Sequence, residues 1–488
     1  MNDANCAYSA VIVGSGAGGS AAAYKLARAG LRVALVEKGQ PLPRDGSTLD
    51  FNRVVHLGHF KSREPWLDNR GRQLRPEEHF NLGGKTKWYG AALLRYSRQE
   101  FSADPAHQCT GWPIGYDELL PYYEEAERLL AVRHFEVEPD LRRIADTLIR
   151  RAPTWRHESL PLGLCAEILQ NEAEARHFDG FASAADHKSD AEIAFLRPVS
   201  SASNLTVLTG RAVIDLVGDT ADATRIVGVR LDDGTELRGD AILLAAGALH
   251  SPRLLQTYLE SRDLGASLPC AAQVGRNLKY HLLTAMIALS PARITDLIRK
   301  TLIFVHSALP HSSVQPLGFD GELIGTLLPR FLPRPGARLL GDRAYGFFLQ
   351  TEDGAHRDNR VIAACAATGG LPVIDYDARR LPASLIEHRR LVRAFTGALA
   401  RTGMIAFSER VGLTGTAHVS GTLATGADPT QSVVDPRGQV HGMRGLYVVD
   451  GSILPRSSRV NPSLTIYAWA LRAAERLVAQ LAANRTAD

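Results

Sequence analysis

Two groups of residues, near opposite ends of the 488-residue chain, have the types and spacing to do chemistry. The first is Gly14-Ser15-Gly16-Ala17-Gly18-Gly19, which follows the apolar run Val11-Ile12-Val13 and opens an alanine-rich segment. Gly14 allows a sharp turn, Gly16 lets the backbone approach a pyrophosphate, and Gly19 lets a helix pack close to a sheet. The helix start would face the phosphates with unpaired N–H groups and its positive dipole end. Glu37 closes the next apolar run, roughly 20 residues on, and can accept hydrogen bonds from ribose hydroxyls. This order of glycines, helix and acid is dinucleotide-binding chemistry.

The second group fills the last eighty or so residues. His418-Val419-Ser420-Gly421-Thr422 comes first, then Ser432-Val433-Val434-Asp435 and His441-Gly442. An apolar strand Leu446-Tyr447-Val448-Val449 ends on Asp450-Gly451-Ser452, and Val460-Asn461-Pro462 precedes a long helix expected over Ile466 to Leu481. Pro462 suits the first helical position. A dinucleotide that carries a flavin needs a second anchor, and Asp450 at a strand tip can hold ribityl hydroxyls. A helix start at Pro462 can stabilise the negative charge of a reduced ring. A neutral His beside such a ring can take a hydroxyl proton near neutral pH while hydride leaves for the flavin.

The elements that would position these groups read as an alternating α/β pattern. Residues 1–38 form a strand–helix–strand unit, and 39–78 read as an irregular surface excursion. Phe80 to Ala92, with Gly83, Gly84, Tyr89 and Gly90, puts glycines at one end and aromatics at the other, which suits a backbone lying against a flat ring system. Helices are expected over Asp117–Leu130, Asp140–Arg151 and Ala383–Thr402, from apolar spacing and acidic first turns where present. Residues 152–190 are left mostly as loop. Strands are expected at 204–209, 212–217, 225–231 and 235–238, with Asp232-Asp233-Gly234 as a hairpin turn. A further buried strand from Asp240 ends in Ala245-Ala246-Gly247-Ala248, small enough for a ligand to approach, and a helix opens at His250-Ser251-Pro252. Residues 285–405 read as a second lobe built mainly on antiparallel sheet.

At this point the chain resembles the glucose-methanol-choline (GMC) flavin oxidoreductases. The likeness runs from Gly14 to the last helix. It is strongest at Gly14–Gly19 with Glu37, at Gly83–Ala92, at Ala245–Leu255 with Val274-Gly275-Arg276-Asn277, and at His418–Thr465. The resemblance implies FAD and oxidation of an alcohol to an aldehyde or ketone. It implies a catalytic pair at His418, as general base, and Asn461, as a hydrogen-bonding partner of the substrate oxygen. It also places Val213 at the adenine end. The chain departs from the family pattern at Leu423-Ala424-Thr425, which bears on local packing. The stretch 83–92 has no His, so FAD is expected to be non-covalent.

The resulting expectation is a Rossmann-like FAD-binding domain in three segments (1–100, 191–284 and 406–488), with a substrate domain from 101–190 and 285–405. The substrate would be a polar cyclic alcohol such as a sugar or glycoside, with oxygen or another acceptor taking the electrons. An FAD-containing lyase without net redox chemistry, as in hydroxynitrile lyases, is the alternative. A nicotinamide dehydrogenase would leave Asp450 and Asn461 without a role. His441 and His250 read as structural, while His281 is a candidate to face the substrate cavity.

Bulk properties agree with a globular enzyme: 45% hydrophobic, 22% charged residues. A net charge of +4 is too small and diffuse to argue for nucleic acid. Cys6, Cys109, Cys165, Cys270 and Cys365 lie far apart with no C-x-x-C, so spacing suggests neither zinc nor a dithiol pair. The odd cysteine count and the lack of a signal-peptide pattern fit the cytoplasm, and no apolar run reaches membrane-spanning length.

Overall fold

The computed structural model describes residues 8–319, 321, 340–415 and 418–487. Cys6 lies outside them. The first sheet has seven strands. Its parallel centre runs β6 (Leu205–Thr209), β2 (Val33–Glu37), β1 (Tyr8–Val13), β9 (Glu236–Leu244) and β17 (Leu446–Val448). Every residue of β2 and of β17 is buried, which is why these strands read as unbroken apolar runs.

The expected strands 235–238 and 240–248 are one continuous strand, β9. Its first half pairs antiparallel with β8 (Ile226–Leu231), which pairs antiparallel with β7 (Val213–Gly218). Its second half turns to parallel partners, β1 and β17. Gly239 sits at this change of partner, where a Cβ would come within 3.2 Å of Tyr8 O and Val11 Cγ2.

Helix α1 (Ala17–Arg28) follows β1 after the Gly16 cap, and packs its small residues Ala21, Ala22 and Ala23 into the main core. Helices α2 (Tyr116–Leu129) and α7 (Ser463–Ala487) join it there, both in contact with each other. Among the described residues, the remaining α-helices are α3 (Pro139–Arg151), the short α4 (Glu172–Ala175), α5 (Ser251–Ser261) and α6 (Pro382–Ala400).

The second sheet has six strands, all antiparallel, in the order β16 (Ile405–Arg410), β10 (Leu282–Leu289), β13 (Ala344–Thr351), β12 (Ser312–Pro316), β11 (Leu302–His306) and β5 (Trp155–Ser159). Helices α3 and α6 bury Leu141, Ile144, Leu148, Leu391 and Phe395 against Met286, Phe304 and Phe347 in a separate core. Two expectations change here. Trp155–Ser159, expected as loop, is the edge strand β5; apart from the buried Trp155 its side chains are polar and none of them is buried, so it carries no apolar alternation. The expected boundary at 406 cuts through β16, which belongs to this sheet; as an edge strand it leaves Ile405 65% and Phe407 60% exposed.

A third, four-stranded sheet was not expected. It joins β3 (Trp66–Asp68) and β4 (Gln73–Leu74) to β14 (Arg360–Ile362) and β15 (Val373–Asp375). The excursion 39–78 is thus tied to a segment some 300 residues away. Strands of two or three residues carry too little alternation to be read from sequence.

Candidate active site

A cavity of about 790 Å³ opens where the C-terminal ends of β1, β2 and β9 meet the face of the six-stranded sheet. That is the size of a site for a large cofactor with its substrate. At one end it is lined by Gly14, Ser15, Gly16, Ala17 and Gly18, with Glu37 and Val213. At the other it is lined by Tyr89, Gly90, His418, Gly451, Asn461 and Pro462. Ala246, Gly247 and Asp450 also line it. Of the expected site residues, Gly19 and Gly83 are not on its wall.

The glycine turn is a close-fitted cradle. Gly14 has φ +102°, and a Cβ there would lie 2.4 Å from Ala245 O. Gly19 supports α1 from behind, where a Cβ would meet Gly14 O at 1.9 Å. Gly18, to which sequence reasoning gave no role, has no room either, with Val449 O 1.8 Å from its Cβ position. Gly16 differs: no protein atom lies within 4 Å of its Cβ position, because that side faces the cavity. Gly83 donates its N–H to Ser15 Oγ at 3.0 Å and so braces the turn from outside.

Glu37 is buried and engaged. Its Oε2 accepts from Ser15 N (3.0 Å) and Ser15 Oγ (2.6 Å), and its Oε1 from Gly39 N (2.9 Å). Burial raises its pKa, against the pull of these donors. Oε2 is filled by its two donors, whereas Oε1 has one and retains acceptor capacity. Asp450 is different. Its Oδ2 accepts from Gly247 N (2.8 Å) and Ser251 Oγ, and its Oδ1 from Ser452 N (2.9 Å) and Ser452 Oγ. Four donors fill a carboxylate. Asp450 therefore does not present a free acceptor for ribityl hydroxyls; it holds the Gly247 and Ser452 backbones beside the cavity.

Two buried lining atoms, His250 Nε2 and Arg253 Nε, have no protein partner. With the helix N-terminus and the open side of Gly16, they fit an elongated anionic dinucleotide, while the lining residues Lys38 and Lys61 are already paired with Glu64 and Glu77. The residues present match the demands of FAD.

At the far end, His418 and Asn461 meet, Nε2 to Nδ2 at 3.4 Å. Asn461 Oδ1 accepts from Gln315 Nε2 at 2.6 Å. Pro462 precedes the first helical residue, and its carbonyl accepts from Ile466 N at 3.0 Å, so it caps α7 instead of opening it. His281 does not face the cavity. It stands behind His418, Nδ1 to Nδ1 at 2.7 Å, with its Nε2 on Ser458 O at 2.8 Å. A backbone bridge aligns the two rings: Lys279 N donates to Ser420 O (2.9 Å) and Ser420 N to Lys279 O (3.1 Å), two residues away from each His.

Burial, then the neighbouring His281, Lys300 and Lys85, holds the His418 pKa well below the ordinary value of 6.5. His418 is neutral at pH 7 and able to accept a proton. Lys300 pairs with Asp179 at 2.6 Å, both on the cavity wall and packed over Gly90. Gln350 also lines this end. Gln315, Lys300, Asp179 and Gln350 were missed in the sequence because they lie in segments without motifs. His441, on Gly426 O and Ser432 Oγ, is a packing residue, whereas His250, wedged between Trp66 and Phe80, also reaches the cavity wall with its unpartnered Nε2.

Elsewhere, His107, Cys109, His311, Glu352 and Glu387 bring ligand-type atoms together. These are already engaged, His311 between Asp104 Oδ2 (3.1 Å) and Glu352 Oε2 (2.9 Å).

Comparison with known proteins completes the picture. The family described as FAD dependent oxidoreductase matches residues 9–293, and the family described as GMC oxidoreductase matches residues 357–470. Paromamine 6'-oxidase of Streptomyces fradiae is 30% identical over 98% of this chain and 92% of its own length. The chain belongs to the GMC flavin oxidoreductases. Another relative, 6'''-hydroxyparomomycin C oxidase of Streptomyces lividus, is 28% identical over the same shares. In fold, the chain matches pyridoxine 4-oxidase from Mesorbium loti with TM-score 0.67 at 20% identity, covering 97% of this chain and 99% of that one. A formate oxidase variant of Aspergillus oryzae matches with TM-score 0.71 at 15% identity, over 98% and 99%. As a GMC member the protein is an FAD-dependent oxidoreductase acting on alcohols, with a small-molecule substrate. Among the described residues, no helix is long and apolar enough to cross a membrane.

Proposed function

We propose that the protein oxidises a hydroxyl of a polar cyclic alcohol, a sugar or glycoside, to a carbonyl, with His418 as general base and Asn461 as its partner. The observation that carries this reading is the meeting of His418 Nε2 and Asn461 Nδ2 on the cavity wall. His418 takes the hydroxyl proton at Nε2, and its depressed pKa keeps that lone pair available. Asn461 donates from Nδ2 to the substrate oxygen and holds it next to the base. Bound FAD supplies the acceptor for the hydride that leaves the carbinol carbon. Oxygen or another acceptor then takes the electrons.

The nucleotide would be held non-covalently by Gly14, Gly16, the α1 N-terminus and Glu37, with Val213 at the adenine end. The flavin end would lie along Gly84, Tyr89, Gly90, Ala246, Gly247, Gly451 and Pro462, with Asp450 on the wall tying its backbone together, while Gly19 and Gly83 would support these walls from behind. Two supports favour a polyol substrate. Gln315, Gln350, Lys300 and Asp179 give the catalytic end a hydrogen-bonding wall, and two relatives are named as oxidases of paromamine and of 6'''-hydroxyparomomycin C. The six-stranded sheet is read as the substrate domain, and the seven-stranded sheet as the FAD domain. The four described cysteines other than Cys6 are unpaired, which fits a reducing cytoplasm.

Anaerobic mixing with a panel of sugars, glycosides and apolar alcohols tests the reading. A polyol is expected to bleach the oxidised flavin band. His418→Ala is expected to slow that bleaching by on the order of 10²-fold or more while FAD stays bound. Turnover without bleaching would point to lyase chemistry instead, and unchanged bleaching in His418→Ala would remove the base assignment.

A further inference from the structure

We propose that His281 is a positioning residue that locks His418 in the tautomer protonated at Nδ1, so that the Nε2 lone pair faces the cavity. The proposal rests on the reading of His418 as base and adds what makes it one. The chain of reasoning starts from a group with no choice. The carbonyl of Ser458 only accepts, so His281 Nε2, 2.8 Å away, must carry a hydrogen. A neutral His281 then has a bare Nδ1. That atom lies 2.7 Å from His418 Nδ1, which must therefore be the donor. A neutral His418 is left with a bare Nε2. This atom faces Asn461 Nδ2, whose own orientation follows, and Asn461 Oδ1 then receives the Gln315 amide. One carbonyl thus fixes the polarity of four side chains in series.

The starting carbonyl is itself held firmly. Ser458 is fully buried, with a left-handed backbone at φ +67°. Its N–H donates to Glu352 Oε1 (2.9 Å) and its hydroxyl to Glu100 Oε1, which also accepts Arg459 N (2.9 Å). The reverse polarity would need a doubly protonated His281. Burial opposes that charge, against the milder pull of Ser458, Glu352 and Glu100. Facing His418, the charged groups are Lys300 and Lys85, which also oppose a second proton on the pair.

The test combines nitrogen NMR of the histidine rings with flavin-reduction kinetics on the FAD-loaded protein. The His418 signals are assigned by their loss in His418→Ala. In the unmodified protein His418 is expected to be protonated at Nδ1 and bare at Nε2. In His281→Phe, which removes the acceptor, that tautomer preference is expected to be lost. Flavin reduction is expected to fall about 10²-fold with KM within about threefold, since a base held in the wrong tautomer loses rate and not binding. His281→Gln, which supplies both an acceptor and a donor, is expected to recover reduction to within about tenfold of the parent. A proton found on Nε2 of His418 in the unmodified protein overturns the proposal, and so does an unchanged tautomer and rate in His281→Phe. If His281→Phe does not fold, the parent spectrum still decides. Failure of the base assignment is separable, because His418→Ala would then reduce flavin normally whatever the tautomer.

Discussion

At the scale of single residues, the site sets His418, a histidine that burial keeps uncharged, beside the Asn461 amide, whose Oδ1 is taken by Gln315. The depressed pKa of His418 sets a pH dependence with a definite sign. Protonation removes the acceptor, so flavin reduction should be flat across neutral pH and decline only below 6.5, the ordinary histidine value. A profile that already declines between pH 8 and 7 would contradict this environment. His418, Asn461 and the glycine turn stood out in the sequence because each carries a chemistry that few residue types can supply, and His418 and Asn461 do meet in the fold. His281 was visible only as a candidate for the cavity. Its place behind His418 depends on the Lys279–Ser420 bridge, a contact between loops more than a hundred residues apart that no local pattern encodes. Asp450 was legible as an acid at a strand tip, but its role was not. A strand-end acid looks the same in sequence whether its lone pairs are open or, as here, taken by Ser251, Ser452 and two backbone amides.

At the scale of elements, α1 is wedged between the turn that it caps and the end of β17. Gly16 and Gly18 separate two functions within this one helix start. Gly18→Ala would drive a methyl into Val449 O and push α1 off the sheet, so lower thermal stability and loss of FAD should appear together. Gly16→Ala has room on the protein side and an allowed backbone at φ −65°, so it should fold normally yet bind FAD at least tenfold more weakly (about 1.4 kcal/mol). Thermal scans and FAD titration of the two apoproteins distinguish these outcomes. The loop that carries Ser458 depends on Glu352, which is fully buried with Arg456 at 2.7 Å. Burial pushes its pKa up, but His311 and Arg456 outweigh this and hold it down to about 2. Its folded pKa is below the unfolded 4.5, so its contribution is complete above 4.5 and is lost as the pH falls toward 2. Glu352→Gln, which leaves Arg456 without its charge partner, should cost about 3 kcal/mol of stability by chemical denaturation and slow flavin reduction. The long helices were read to within a few residues from apolar spacing. The short strands of the third sheet were not, since two or three residues show no period.

At the scale of the whole molecule, the cavity is walled by both large sheets, and its nucleotide end draws on segments that the sequence scatters from Gly14 to Asp450. Added FAD should therefore stabilise the apoprotein as a unit, by about 2.7 kcal/mol at 100 times its dissociation constant. Thermal scans at increasing FAD should show one transition moving upward, and protease protection should extend to all three segments of the seven-stranded sheet. Protection of the first segment alone would show that the others do not grip the nucleotide. This discontinuous layout is what the family likeness led one to expect. The expected boundary at 406 falls inside β16, whose exposed Ile405 and Phe407 carry no local sign of the sheet they join. The position of β17 beside β9 has a consequence for biosynthesis. The ribosome releases β9 about 200 residues before β17, a delay of some tens of seconds at roughly 5–20 residues per second. Throughout that interval a finished, oily edge waits without its neighbour, so the nascent polypeptide should lean on holding chaperones until its last tenth has emerged.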